Sequence, residues 1–268
     1  MTIFPDIPDD RLDALPDLFP GRNGAGVRIA VIDSGVQPEH PHIDRERIEP
    51  GVAILSDGSI GRTGPVPDRL GHGTAVLAAI QEKAPRATFV PVQVFHDALR
   101  TSAKALVTAI RWAVARDVDL INLSLGSTNA AHLALFTEAV EEAGRRGVSV
   151  VAARETGEVP CYPGTIPTVI GVGLDWDVPR SRYRAARCGG QFVMISSGYP
   201  RPIPGVPRRR NLYGISFAVA QATGFAALAI QECRSRGAAG CDTGLAMRYR
   251  PGHADLARCL EAPPGGAG

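Results

Sequence analysis

The sequence predicts a single-domain α/β fold in which a mostly parallel sheet is flanked by helices on both faces. Three observations lead there. Strand-length runs such as VRIAVID (27–33) and VSVVAA (148–153) are continuously apolar rather than alternating, the pattern of strands buried on both faces. They alternate along the chain with longer segments of helical spacing, the order that builds a parallel sheet. The 268 residues carry no internal repeat and suffice for one large core.

The elements follow in order. Residues 1–26 read as an irregular acidic leader. The run 27–33 is a strand that ends in Asp-Ser-Gly, a turn signal. A loop rich in Gly and Pro leads to GHGTAVLAAIQEKA (71–84), helical after its glycines, and then to the strand ATFVPVQVF (87–95). TSAKALVTAIRWAVARD (101–117) has helical spacing with Thr101 or Ser102 as its cap. A strand (119–125), a helix (131–147) and a strand (148–153) come next, then the strand PTVIGVG (167–173). An arginine-rich loop, the strand FVMIS (192–196) and a long small-residue helix over roughly 216–235 complete the body. The folded domain is expected over 27–260, with 261–268 a disordered tail by composition.

Bulk properties narrow the function. Hydrophobic residues at 44% and charged residues at 21% are ordinary for a soluble globular chain. A net charge of +2 gives no overall attraction to nucleic acid or membrane, and no apolar run reaches transmembrane length. The first twenty residues have neither a signal-peptide core nor transit-peptide character, so a cytoplasmic location is expected. The cysteines are odd in number and form no C-x-x-C pair, which favours free thiols and leaves a Cys161–Cys188 bridge open.

Ligands of such sheets bind outside the carboxyl ends of the strands, where Asp33, Ser124 and Glu155 fall. Taken singly, the candidate residues are unremarkable. Asp33 could simply form its turn, His72 could start its helix, and Ser216 could cap one. Together they are a nucleophile, a base and a carboxylate, each flanked by glycine at an element junction. A serine hydroxyl needs a base to take its proton, and the base needs a carboxylate to hold its tautomer.

The chain resembles the subtilisin-like serine proteases, or subtilases, over roughly residues 24–232. VRIAVIDSGVQPEHP is similar to the family's aspartate motif, DRLGHGTAVLAAI to its histidine motif and GISFAVAQATG to its serine motif, in the subtilisin order Asp, His, Ser. AP at 84–85, DLINLSLG at 119–126 and YPGTIPTVIGVG at 162–173 match further landmarks in sequence. The resemblance implies a subtilisin-like fold and a catalytic triad of Asp33, His72 and Ser216. It also implies that Ser124, Leu125 and Gly126, with Ala152 and Ala153, bind substrate backbone as an added strand. The mechanism needs no cofactor and no metal in the site. Structural calcium is common in the family, but no dense carboxylate loop is evident here to hold it.

The departures are concentrated where the oxyanion would form. The family pattern Ala-Ala-Gly-Asn-x-Gly is here Ala152-Ala153-Arg154-Glu155-Thr156-Gly157. Glu155 takes the position of the asparagine donor, or Thr156 does if the register shifts by one. Ile215 replaces the usual threonine before the serine, and Ala220-Gln221 replaces Pro-His after it. Losing the asparagine donor costs about 10²–10³ in turnover, a value known from this same family. An ionised carboxylate ~4 Å from the oxyanion would oppose it by about 4 kcal/mol at an effective dielectric of ~20. Four arrangements stay open: a protonated Glu155, an Arg154–Glu155 pair or Arg154 as the donor, Thr156 as the donor, or a Glu155 directed to solvent.

The loop 180–210 carries Arg180, Arg182, Arg184, Arg187, Arg201 and Arg208–Arg210 without an acidic residue. It reads either as solvated surface or as a dock for acidic peptides, with the leader's Asp6, Asp9, Asp10, Asp13 and Asp17 as an internal cover. Its lack of interleaved aromatics argues against nucleic acid. The expected function is a serine endopeptidase of narrow specificity acting through an acyl-serine, on peptide or protein substrates. The alternatives are an impaired subtilase-fold peptide binder, or ligation or cyclisation by the same triad.

Overall fold

The structure, a computed structural model, describes residues 17–207, 210–238 and 251–266. A nine-stranded sheet carries the fold. In chain order its strands are β1 (Arg28–Asp33), β2 (Gly51–Ile54), β3 (Ile60–Gly64), β4 (Thr88–Gln93), β5 (Leu120–Leu123), β6 (Ser149–Ala153), β9 (Ile170–Leu174), β10 (Tyr183–Cys188) and β11 (Gln191–Ser196). A separate small hairpin pairs β7 (Glu155–Thr156) with β8 (Val159–Pro160). The helices are α1 (His72–Lys83), α2 (Ala103–Ala115), α3 (Leu133–Arg145), α4 (Ile215–Ala238) and α5 (His253–Glu261).

The spatial order is β10-β11-β9-β6-β5-β1-β4-β2-β3. All pairs are parallel except the outermost ones, β10–β11 and β2–β3. β1 pairs with β4 on one side and β5 on the other, so the connections diverge beside it. That divergence opens a crevice at the carboxyl end of β1, where Asp33 stands.

Alternate residues of each strand feed two cores, as a period of two requires. Ile29, Val31, Val151 and Ala153 pack with α1, α4 and α5 through Leu77, Ile80, Phe217 and Leu260. Ala30, Ile32, Ile121 and Ala152 pack with α2 and α3 through Ile110, Phe136 and Val140. Small residues let α4 lie close to α1: a Cβ on Gly224 would come within 2.9 Å of the Lys83 side chain. Ser102, one of the two expected caps, accepts from the Ala105 N–H at 3.0 Å and starts α2.

The folded body extends beyond the limits expected from sequence. Leu18 and Phe19 are buried in the α4-side core, and the Gly265 N–H donates to the Leu18 carbonyl at 3.0 Å. Residues 17–26 therefore belong to the body, and 261–266 are tied to it rather than loose. The acidic leader's Asp6, Asp9, Asp10 and Asp13 lie outside the described residues, as do Arg208 and Arg209. No helix among the described residues is long and apolar enough to cross a membrane.

Candidate active site

β1 delivers Asp33 to the crevice fully buried. The next turn must lie almost in contact with the start of α1, and glycine permits it: a Cβ on Gly73 would meet the Gly35 carbonyl oxygen at 2.4 Å. This close approach puts the His72 ring against Asp33, with Nδ1 2.8 Å from Oδ1. The Ser34 N–H also donates to Oδ1 at 2.8 Å, while Oδ2 is buried without a partner in the described structure. A carboxylate can only accept, so Nδ1 carries the proton and Nε2 presents its lone pair. Burial pushes the His72 pKa down, but the Asp33 hydrogen bond and charge, with Asp68 behind them, push it up further, and it ends above its ordinary value.

Asp68 is the site residue that sequence reasoning missed. Its Oδ1 accepts from Ser34 Oγ at 2.8 Å and from the N–H groups of Leu70 and Gly71, both at 2.9 Å. Its Oδ2 accepts from the Thr74 N–H at 2.8 Å and from Thr74 Oγ1 at 2.6 Å. One carboxylate thus joins the turn after Asp33 to the first turn of the helix that bears His72. Burial raises its pKa, but the bonds from Thr74, Ser34 and Leu70 outweigh that and hold it below the ordinary carboxylate value. The signal was present in the sequence as the aspartate four residues before His72.

Ser216 lies in the first turn of α4 and is nearly buried. Gly214, at φ +140°, turns the chain into the helix, and the Phe217 ring stands 5.8 Å from the His72 ring. The packing of α1 on α4 therefore brings the start of the helix that bears Ser216 up to the His72 ring, which Asp33 holds. A buried relay runs from α4 to the neighbouring strand end: Thr223 Oγ1 donates to Asn122 Oδ1 at 2.9 Å, and Asn122 Nδ2 donates to Ser124 Oγ at 3.0 Å.

Leu125 and Gly126 lie between the β5 ladder, which ends at Leu123, and a bridge at Ser127, whose N–H and carbonyl pair with Tyr162, both at 2.8 Å. A Cβ on Gly126 would fall 2.1 Å from the Tyr162 carbonyl oxygen and 2.8 Å from Cys161 Sγ, so only glycine fits beside that segment. Ala152 and Ala153 end β6 alongside, both buried.

The structure reduces the arrangements left open for Arg154, Glu155 and Thr156. Arg154 does not pair with Glu155. Its Nε donates to Gln191 Oε1 at 3.2 Å, and Gln191 in turn donates to three carbonyls of the 164–169 loop. Glu155 is exposed on β7, and its side chain has no hydrogen bond or ion pair among the described residues. Gly157 and Glu158 both have positive φ, +57° and +67°, which closes a two-residue turn between Thr156 and Val159. Thr156 is exposed on that hairpin. Among the described residues the Arg154–Glu155 ion pair is therefore absent, and Glu155 is exposed.

Three arginines of the arginine-rich segment are also held by carboxylates from elsewhere in the chain. Arg180 pairs with Glu82, Arg184 with Asp175 and Arg187 with Glu261. Cys161, buried, and Cys188, exposed, are both free thiols rather than a bridge. Among the described residues no group of three or more His, Cys, Asp or Glu is placed to hold a metal ion.

Comparisons with known proteins agree with this arrangement. A subtilase-family (peptidase S8) model matches residues 24–174, a span that includes Asp33 and His72 and stops before Ser216. Subtilisin NAT of Bacillus subtilis subsp. natto is 29% identical over 221 residues, covering 77% of this chain and 54% of its own length. Subtilisin DY of Bacillus licheniformis is 26% identical over 233 residues, covering 79% of each. The chain thus spans about half the length of several curated relatives it matches, subtilisin NAT and subtilisin E at 54% each. Among solved structures, a lanthipeptide protease aligns with a TM-score of 0.63 at 23% identity, covering 89% of this chain and 80% of that one. The prenylagaramide maturation protease PagA aligns with a TM-score of 0.59 at 26% identity, covering 79% of this chain and 78% of that one. With the sheet order, the Asp33–His72 pair and a family model that covers more than half of the sequence, this chain belongs to the subtilase family.

Proposed function

We propose that the protein is a serine endopeptidase that cleaves peptide bonds through an acyl-Ser216 intermediate, slowly and on a narrow set of substrates. The observation that carries this reading is the buried Asp33–His72 hydrogen bond of 2.8 Å beside the helix start that bears Ser216. His72 Nε2 takes the Ser216 proton as Oγ attacks the scissile carbonyl, then gives it to the leaving amine. Asp33 holds the tautomer and stabilises the imidazolium that forms. Water reverses the sequence and frees the acid product.

Negative charge on the old carbonyl oxygen is met by the Ser216 N–H, which has no intrahelical partner in the first turn of α4. Leu125 and Gly126 offer backbone edge to an extended substrate. The usual asparagine amide is missing here, which is why slow turnover is part of the proposal. The PagA and lanthipeptide relatives are described as a maturation protease and a lanthipeptide protease, which favours peptide processing over general digestion. A second reading, a peptide-binding subtilase fold with impaired catalysis, draws on the exposed Glu155 in the donor position.

A fluorophosphonate probe separates the two. Labelling of the wild type that is lost in Ser216→Ala, with the fold retained by circular dichroism, supports the peptidase. A wild type that stays unlabelled supports the binder, and labelling that persists in Ser216→Ala moves the nucleophile elsewhere.

A further inference from the structure

A cleft of about 470 Å³ opens along the chain segments next to His72 and Ser216. Its walls come from the two segments that carry the base and the nucleophile: Arg69 lies three residues before His72, and Leu212 four before Ser216. Three residues of chain reach at most about 11 Å, so the cleft begins within that distance of the reacting centre. It shares no residue with Ser124–Gly126 or Ala152–Ala153. A peptide laid on that edge across Ser216 would send its leaving side, two or three residues past the cut bond, into the cleft.

Among apolar residues such as Leu70, Ala78, Pro200 and Ile203, the cleft also presents cations and hydrogen-bond donors. Arg69 is exposed, with no hydrogen bond or ion pair among the described residues. Arg201 uses Nη1 to hold the His42 carbonyl at 3.1 Å, and its Nε lies 4.0 Å from Glu82, which Arg180 already holds. The His42 N–H donates to His40 Nδ1 at 3.1 Å, so a neutral His40 presents Nε2–H as a donor. The two imidazoles stack edge to face at 5.1 Å. The acidic residue of the lining, Asp68, is held ionised by five hydrogen bonds, so the two arginines must outweigh its charge for an acidic side chain to bind. Burial, then Arg201, then His40 hold the His42 pKa below its usual value, so that ring stays neutral at pH 7.

We infer that this cleft selects substrates with an aspartate or glutamate side chain two or three residues after the cleaved bond, bound by Arg69 and Arg201 with His40 as a further donor. The inference rests on the peptidase reading. It moves acidic recognition from the arginine-rich loop as a whole, where Arg180, Arg184 and Arg187 pair with carboxylates from elsewhere in the chain, to one arginine of that loop and one outside it.

The test uses C-terminally amidated peptides that share an acyl side and carry Glu, Gln or Lys at those two positions. Cleavage by the wild type should favour Glu over Gln by about tenfold or more in kcat/KM, the scale of charge-assisted hydrogen bonds. Arg69→Gln and Arg201→Gln should each shrink that ratio, and Arg69→Glu should turn the preference toward Lys. Binding of the same peptides to Ser216→Ala, read by fluorescence anisotropy, should show the same order without turnover. Equal kcat/KM for Glu and Gln in a wild type that labels with fluorophosphonate overturns the inference and leaves the peptidase reading standing. A wild type that neither labels nor cleaves overturns the peptidase reading, and equal Ser216→Ala affinities then overturn the cleft assignment too. A free-acid Gln peptide that matches the Glu amide assigns the cleft to a chain terminus and overturns the side-chain assignment.

Discussion

Asp68→Asn changes one atom of the carboxylate that joins the Asp33 turn to the His72 helix. With the amide oxygen at the Oδ1 position, the bonds from Ser34, Leu70 and Gly71 survive without their charge. The amide nitrogen then faces the Thr74 N–H and hydroxyl, which donate to Oδ2 in the wild type at 2.8 and 2.6 Å. The hydroxyl can rotate to accept with its second lone pair, the first being taken by the Gln37 N–H at 3.0 Å. The Thr74 N–H cannot adjust and is left unpaired. An orphaned buried donor costs about 1–3 kcal/mol, and the weakened bonds bring the total to about 2–4 kcal/mol. At ~2–4 °C per kcal/mol for a domain of this size, Tm should fall by about 4–16 °C. The Asp68 pKa is depressed on folding, so its contribution is present above the ordinary 3.8 and lost as pH falls through the lower folded value. The gap in Tm between wild type and variant should therefore close on acidification. Asp68 also helps to raise the His72 pKa, and His72 must be neutral to accept the Ser216 proton. The acid limb of fluorophosphonate labelling should then move to lower pH in the variant. Calorimetry with labelling rates across pH is the assay. A Tm within about 1 °C of wild type, with an unmoved acid limb, would refute the reasoning.

Three further outcomes are expected. Asp33→Asn should fold but lose several decades of activity, about 10⁴ by the arithmetic of a wrongly held tautomer, in a peptide-cleavage or labelling assay; an active variant removes Asp33 from the triad. Glu155→Asn should raise turnover by no more than about threefold, because an exposed charge is screened by water; a hundredfold rise would mean that this side chain lines the oxyanion after all. Gly73→Ala should destabilise strongly and slow labelling, since its Cβ would lie 2.4 Å from the Gly35 oxygen, which belongs to backbone and cannot yield cheaply. Wild-type stability in that variant would show the turn to be softer than its packing suggests.

The buried strands were legible because strands covered on both faces read as unbroken apolar runs, as in β1 and β6. The Asp33–His72 pair was legible because the close approach of their segments requires glycine at position 73, against the Gly35 carbonyl. The edge elements were not. β3 is exposed along nearly its whole length and β10 on most of its residues, so neither carries apolar alternation, and both were read as loop. α5 has only nine residues and escaped notice, although Leu256, Ala257 and Leu260 bury one face. The pairing of Arg180, Arg184 and Arg187 depends on where Glu82, Asp175 and Glu261 arrive in space, which local sequence does not carry. Leu18 and Phe19 looked like part of an acidic leader because aspartates surround them. Their burial means that a truncation testing the leader as a cover must stop at residue 16, before the core is cut.

The hydrogen bond between Leu18 and Gly265 sets two points 247 residues apart in sequence 3.0 Å apart in space. Fluorophores at Asp17 and Gly266 would therefore sit in near contact in the native protein. In the denatured chain they would separate to tens of ångströms, since an unfolded chain of this length has a radius of gyration of about 55 Å. A single energy-transfer signal across that junction would report cooperative opening of the whole body, without reference to catalysis or substrate.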